Sequence, residues 1–194
     1  MKLVQPIRDL DKVDEIYEWL SERSVRNALL FVFGIYTGLR ISDLLPLRVK
    51  DVRGKKHVMI QENKTGNTKR FLIPRDLREL IEEYIQDKPG KEFLFKSRQG
   101  KNRPIVRQRA YEILKEAAVA CGIKEIGTHS MRKTYGYHAY KDSKDIALLQ
   151  TVFGHSKESI TLRYIGVTQD RQDEVANRLK FIKKRKRTEE SNED

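Results

Sequence analysis

Residues 25–36, Val-Arg-Asn-Ala-Leu-Leu-Phe-Val-Phe-Gly-Ile-Tyr, constrain the fold most. The stretch has helical character and is apolar nearly all round, so other elements must enclose it. Ser24 stands where a helix cap would, and Thr37-Gly38 ends the run with glycine at the C-terminal breaker position. The apolar part, residues 28–36, is far short of the roughly 20 residues that cross a bilayer. The run therefore predicts a buried central helix in a soluble protein, with no membrane partner. A chain of 194 residues can enclose it in about one domain without disulfides or metal staples. Cys121 is the single cysteine, so no internal disulfide can form, and no Cys/His spacing resembles a zinc site. No signal peptide is evident in Met1-Lys2-Leu3-Val4-Gln5-Pro6, and a reducing cytoplasm fits all of this.

The flanking segments supply the enclosure. Residues 9–20 read as an amphipathic helix, with Asp9 or Asp11 at its cap and Leu10, Val13, Ile16, Tyr17 and Leu20 on one face. A short helix over 41–45 stops at Pro46. Residues 57–62 and 69–74 are strand-like and bracket a Lys64-Thr65-Gly66-Asn67 turn, which places Lys64 at a hairpin tip. Helical spacing returns over 75–86, and Phe93-Leu94-Phe95 has the length of a third, edge strand. Further helices are expected over 107–120, over 130–140 with Thr128 as cap, and over 144–152 with Ile146, Leu148 and Leu149 inward. A short helix capped by Ser156 or Ser159 then carries Tyr164, and a last one runs over 169–182. The order gives an α+β fold, mostly α-helical, with a small three-stranded antiparallel sheet.

Charge narrows the partner. The formal net charge is +12 and the pI near 9.7. An excess this large in a chain this short points to a polyanion, with nucleic acid the default. Residues 180–187 are basic at six of eight positions, and residues 188–194 turn acidic, so 183–194 reads as a disordered charged tail. The basic run fits either phosphate contact or plain solvation.

Metal-free cleavage of a phosphodiester needs a nucleophile, positive donors for the non-bridging oxygens and an acid for the departing oxygen. The chain offers these types beside turns and helix starts. Arg40 follows Thr37-Gly38-Leu39 at a loop-to-helix junction; alone it fits an anion holder or a buried partner for a carboxylate. Asp43, one turn on, is placed either to orient Arg40 or to cap the helix. His129 and Arg132 share a face at i, i+3, and His155 follows Gly154. Tyr164 stands alone between Arg163 and Ile165. Each of these, and Lys64, has an ordinary structural reading by itself. His57 and His138 have no comparable setting and read as structural. No carboxylate cluster suggests a metal-dependent nuclease.

In order and spacing, Thr37-Gly38-Leu39-Arg40-Ile41-Ser42-Asp43-Leu44, Lys64, His129-x-x-Arg132, Phe153-Gly154-His155 and Tyr164 resemble the tyrosine recombinase (phage integrase) family, over roughly residues 10–168. The resemblance implies the tyrosine recombinase catalytic fold over residues 1–168. It implies a DNA recombinase that cleaves and rejoins strands through a 3′-phosphotyrosyl link, without cofactor or metal. Arg40, His129, Arg132 and His155 would hold the scissile phosphate, with Asp43 in support. Lys64 would be the general acid and Tyr164 the nucleophile. It also implies double-stranded DNA as partner and a homo-oligomer on it, a tetrameric synapse, with the nucleoid as the place of work. The helix over 169–182 would dock through Val175, Leu179 and Ile182 on a neighbouring copy, or back on its own core.

Asp43 stands where family members commonly carry Glu. Most members also have about 100 further residues ahead of the catalytic domain, so this chain is either a compact member or a catalytic fragment. A non-catalytic DNA-binding regulator with the same fold, or a relaxing activity like that of type IB topoisomerases, are the competing functions.

Overall fold

The computed structural model describes residues 4–61 and 68–181. Helix α1 (Leu10–Arg23) opens on Asp9, whose carboxylate accepts from the Asp11 N–H. Helix α2 (Val25–Thr37) is enclosed as its composition requires: Leu29, Leu30, Phe31, Val32 and Phe33 are buried. It ends at Gly38, whose φ of 62° is the left-handed conformation glycine adopts without strain. Short α3 (Ile41–Leu44) and α4 (Val49–Val52) follow. Nothing in the local pattern marked α4; the Asp51 carboxylate, accepting from the Arg48 N–H at 2.8 Å, closes its first turn.

Strands β1 (His57–Gln61) and β2 (Thr68–Leu72) pair antiparallel, His57 opposite Leu72 and Gln61 opposite Thr68. Among the described residues the sheet has these two strands and not three. Residues 93–95 make their backbone bonds elsewhere. The Leu94 N–H donates to the Leu47 carbonyl, and the Phe95 carbonyl accepts from Ile105. The segment thus pairs with the chain around residues 47–48 and 104–105 rather than with the hairpin.

Helices α5 (Arg75–Ile85), α6 (Arg107–Ala120), α7 (Thr128–Ser143), α8 (Ile146–Phe153), α9 (Glu158–Tyr164) and α10 (Val167–Arg178) complete the chain. Thr128 is not the cap of α7. Gly127 is, its N–H donating to Ser130 Oγ at 3.2 Å, and Thr128 is buried in the first turn. In α8 the Asp145 carboxylate caps the Leu148 N–H, and Leu149 and Phe153 form the buried face, so the Leu148 side chain is 55 % exposed rather than inward. Helix α10 starts two residues early, directly after Gly166. It ends at Arg178, where the backbone turns extended at Leu179, so residues 179–181 are not its last turn, and Ile182 lies outside the described residues.

The core has two parts. The larger surrounds α2, which packs on α1, α5 and α7, and includes Leu77 and Ile81 of α5 and Ile113 and Leu114 of α6. The smaller joins Tyr137 of α7 to Leu149, Phe153, Ile165 and Val167. Residues 4–8 lie along α7. Ser130 Oγ donates to the Gln5 carbonyl, Lys133 Nζ to the Val4 carbonyl, and the Ile7 N–H to Thr134 Oγ1. These bonds satisfy two buried hydroxyls of α7. No helix among the described residues is long and apolar enough to cross a membrane.

Candidate active site

The smaller core is the back wall of a polar cluster. Phe153 is the last residue of α8, and its carbonyl would be orphaned at the helix end. Two guanidiniums take it: Arg40 Nη2 at 3.3 Å and Arg132 Nη2 at 3.2 Å. Arg132 also donates through Nη1 to the Gly38 carbonyl at 2.5 Å and lies 4.4 Å over the Phe153 ring. It is 4 % exposed, whereas Arg40, the N-terminal flank of α3, is exposed. The left-handed turn at Gly38 thus presents both its own carbonyl and, two residues on, Arg40.

Gly154 turns the chain at φ 67°, and the His155 N–H returns to the Gln150 carbonyl at 3.0 Å. That turn sets His155 beside Tyr164, ring centroids 5.2 Å apart and near perpendicular. His155 Nδ1 is bonded to Thr161 Oγ1 at 3.0 Å, one turn ahead of the tyrosine on α9. The Tyr164 ring also meets Phe153 edge-on at 5.5 Å. Its hydroxyl lies 3.4 Å from Nδ1 of His129, in the first turn of α7. Lys133 Nζ sits 5.2 Å from the centre of the same ring.

Five of the six residues expected to act together therefore converge: Arg40, His129, Arg132, His155 and Tyr164. Lys64 lies outside the described residues. The described part of its hairpin reaches the cluster's edge, where Lys69 Nζ donates to the Thr151 carbonyl of α8 at 3.3 Å. Asp43 is half-buried, accepts from Ser42 Oγ at 3.3 Å, and bears electrostatically on Arg132, a target its spacing did not indicate. The side chain of Asp43 does not cap α3. His57 and His138 stay outside the cluster, facing Arg70 and the Ile7 carbonyl.

Burial and mutual repulsion of positive groups dominate the electrostatics of the cluster. Burial pushes Arg132 down to about 10, against the favourable pull of Tyr164, and Arg40 adds to the fall. Burial also lowers both imidazoles. Arg107, Arg132, Lys133 and Arg40 reinforce it at His129, and Arg132 and Arg40 at His155. Both rings are thus mostly neutral near pH 7. The Tyr164 phenol is raised by burial, with Arg132 and Arg40 pulling the other way. Two guanidiniums meeting at one oxygen match a phosphate, and a phenol beside a neutral imidazole matches a nucleophile beside a proton acceptor. The Phe153 carbonyl, Thr161, Lys133 and Arg107 have parts here that residue type did not announce.

Comparison with known proteins gives the same grouping. Residues 8–171 match the model of the phage integrase family. The probable integrase/recombinase YoeC of Bacillus subtilis is 51% identical over 170 residues, which cover 88% of this chain and 93% of that protein. The tyrosine recombinase XerA of Pyrococcus furiosus is 27% identical over 178 residues, 89% of this chain but 61% of the relative. Among solved structures, XerA recombinase superposes with a TM-score of 0.70 over 91% of this chain and 65% of that one, at 18% identity. XerH bound to difH in a pre-cleavage complex gives 0.69 over 91% and 55%, at 19% identity. At that identity the likeness is one of fold. The chain thus spans under two thirds of several longer relatives and nearly all of the Bacillus one. With a family model matched over most of its length and 51% identity to one relative over 170 residues, this chain belongs to the phage integrase family.

Proposed function

We propose that this protein cleaves and rejoins double-stranded DNA at specific sites through a covalent link between Tyr164 and a 3′ phosphate. One observation carries the reading: the Tyr164 hydroxyl stands 3.4 Å from His129 Nδ1, in a cluster where Arg40 and Arg132 already converge on a single oxygen. In the forward step the Tyr164 oxygen bonds to phosphorus while its proton passes to neutral His129. The bond from phosphorus to the 5′ oxygen breaks, and that oxygen takes a proton from Lys64. Arg40, Arg132 and His155 stabilise the charge on the non-bridging oxygens, and Asp43 supports Arg132. Rejoining reverses these steps with a 5′ hydroxyl as attacker. The phosphotyrosyl bond conserves the energy of the bond it replaced, so no external energy source enters.

The net charge of +12 supports a polyanionic substrate. XerH with its difH substrate and a lambda integrase dimer at its core site, both similar in fold, support duplex DNA and a second copy of the chain as partners. The described residues from 171 to 181 are exposed, with Val175 at 56 % and Leu179 at 54 %. An unburied apolar stripe there suits docking on a neighbouring protomer in a multimeric synapse. The reading places the protein at chromosomal or element DNA in the cytoplasm.

The test is Tyr164→Phe. With a labelled duplex nicked near the cleavage site, the variant is expected to form no covalent adduct on a denaturing gel while retaining DNA binding. An undiminished adduct would remove Tyr164 as the nucleophile.

A further inference from the structure

A cavity of 480 Å³ opens between α1, the start of α2, the loop at 97–99 and α6, away from Tyr164. Arg23, Arg26, Arg98 and Arg109 all line it. Glu116 is the carboxylate in the lining, and it is already engaged with Arg109 at 3.2 Å. Arg23 lies 4.0 Å over the indole of Trp19, which keeps its guanidinium at the cavity wall. Arg26 is half-buried and has only neutral acceptors, Asn27 Oδ1 at 2.8 Å and the Lys96 carbonyl at 2.5 Å. Burial first, and then the charges of Arg98 and Arg109, push its guanidinium below the ordinary arginine value. Arg23 is also paired with Glu22 and Arg109 with Glu112, each at 3.1 Å, so the excess positive charge of the lining sits on Arg26 and Arg98, and an entering anion offsets their repulsion.

We propose that this cavity is a second phosphate-binding site, occupied by the backbone of the DNA arm that flanks the scissile phosphate. The inference rests on the recombinase reading, because α6 joins the two places. Arg107, at its first residue, bears on His129 in the tyrosine cluster. Arg109, two residues later and so on the opposite side of the helix, lines the cavity. Opposite sides of a helix are about 10 Å apart, which one duplex spans in about three base-pair steps. The rim continues into the basic loop that carries Lys101 and Arg103, so the positive surface is unbroken in sequence. Phosphate is the shared chemistry; a free nucleotide or pyrophosphate is the other source of it.

The experiment measures duplex affinity across a salt series by fluorescence anisotropy, in a Tyr164→Phe background so that no covalent trapping enters. One duplex ends close to the mapped cleavage position, and the other extends about one helical turn beyond it. The variant is Arg23→Gln/Arg98→Gln. Both residues are exposed, so folding is spared, and circular dichroism confirms it. Exposed Lys124→Gln, in the loop after α6, is the control. On the long duplex, the slope of log affinity against log salt is expected to fall by about 2, roughly 0.9 per lost contact. The short duplex and the control should not change. An unchanged slope on the long duplex, or an equal loss on both duplexes, overturns the proposal. So does pyrophosphate binding that the variant loses while its DNA slope stays intact, since the ligand is then a free phosphate compound. Failure of the recombinase reading shows separately, as wild-type protein that forms no adduct.

Discussion

Replacing Gly136 by alanine tests the packing behind the tyrosine. Gly136 lies inside α7 and is buried. A methyl group there would stand 2.5 Å from Phe153 Cζ, 2.7 Å from Phe153 Cε2 and 2.7 Å from Ile165 Cγ2. The worst of these is roughly 0.9 Å short of ordinary contact, well up the repulsive wall. Both neighbours are fully buried, and one is a rigid ring, so backbone must move rather than a flexible chain end. Overpacking of this kind costs about 1–3 kcal/mol. Alanine returns about 1 kcal/mol of helix propensity. The net loss of stability is then about 0–2 kcal/mol, which leaves the protein folded.

The larger effect is expected at the site. Phe153 carries the carbonyl that both arginines hold and the ring that both Tyr164 and Arg132 pack against. Moving it by most of an ångström displaces the groups proposed to hold the phosphate from the proposed nucleophile, and a misplacement of that size costs about 10²-fold in rate. Single-turnover adduct formation on a nicked duplex reads the rate, and urea unfolding reads the stability. Gly136→Ala/Phe153→Leu, which removes the clashing ring atoms, is expected to recover part of the lost rate. If Gly136→Ala cleaves like wild type, the close contact between α7 and α8 is not what sets the site.

Arg132→Lys places one ammonium where a fork now reaches both the Gly38 and the Phe153 carbonyls, and cleavage is expected to fall by about 10²–10³-fold. Arg132→Ala should add about 1–3 kcal/mol of instability in urea, because buried acceptors lose their donor. His129 and His155 both titrate below their ordinary value of 6.5 in the folded chain, so the unfolded chain binds more protons between that value and the lowered ones. Stability in thermal melts should therefore be complete above about pH 7 and decline as pH falls through the lowered values. The decline should shrink in His155→Gln. Val175→Asp/Leu179→Asp is expected to leave binding of a single copy to DNA intact while abolishing larger protein–DNA assemblies in sedimentation.

Local pattern carried the fold wherever a single helix face decided the matter. The all-round apolar run became α2, the Asp9 cap began α1, and α6 has the expected limits. Where partners distant in sequence decide, the pattern was silent or misleading. Phe93-Leu94-Phe95 has strand composition, but Leu47 and Ile105 hold its backbone. Leu148 is apolar, but α8 packs through Leu149 and Phe153 on the smaller core, which leaves Leu148 outside it. The site was legible through residue type and order because its side chains carry charge or a phenol. Its centre is a backbone carbonyl at Phe153, which no residue type can signal. Asp43 bears on Arg132, 89 positions away in the chain, which local spacing on α3 could not show.

Under the proposed mechanism, the raised Tyr164 phenol and the lowered His129 imidazole bear on how the nucleophile is kept safe. A phenol held protonated by burial is a poor attacker, which protects a DNA-bound protein from indiscriminate cleavage. Arg132 and Arg40 pull the phenol toward ionisation, but a phosphodiester held between them would partly neutralise them and weaken that pull. Substrate binding alone therefore cannot generate a phenolate. The proton has to leave as the oxygen–phosphorus bond forms, and the acceptor has to be in place and uncharged. His129 meets both conditions, since partial burial first, and then Arg107, Arg132, Lys133 and Arg40, hold its ring below the ordinary imidazole value beside the phenol. Activation is then tied to correct seating of the scissile phosphate, because only the transition state, in which the phenol's charge passes onto the phosphoryl oxygens, draws full benefit from both guanidiniums.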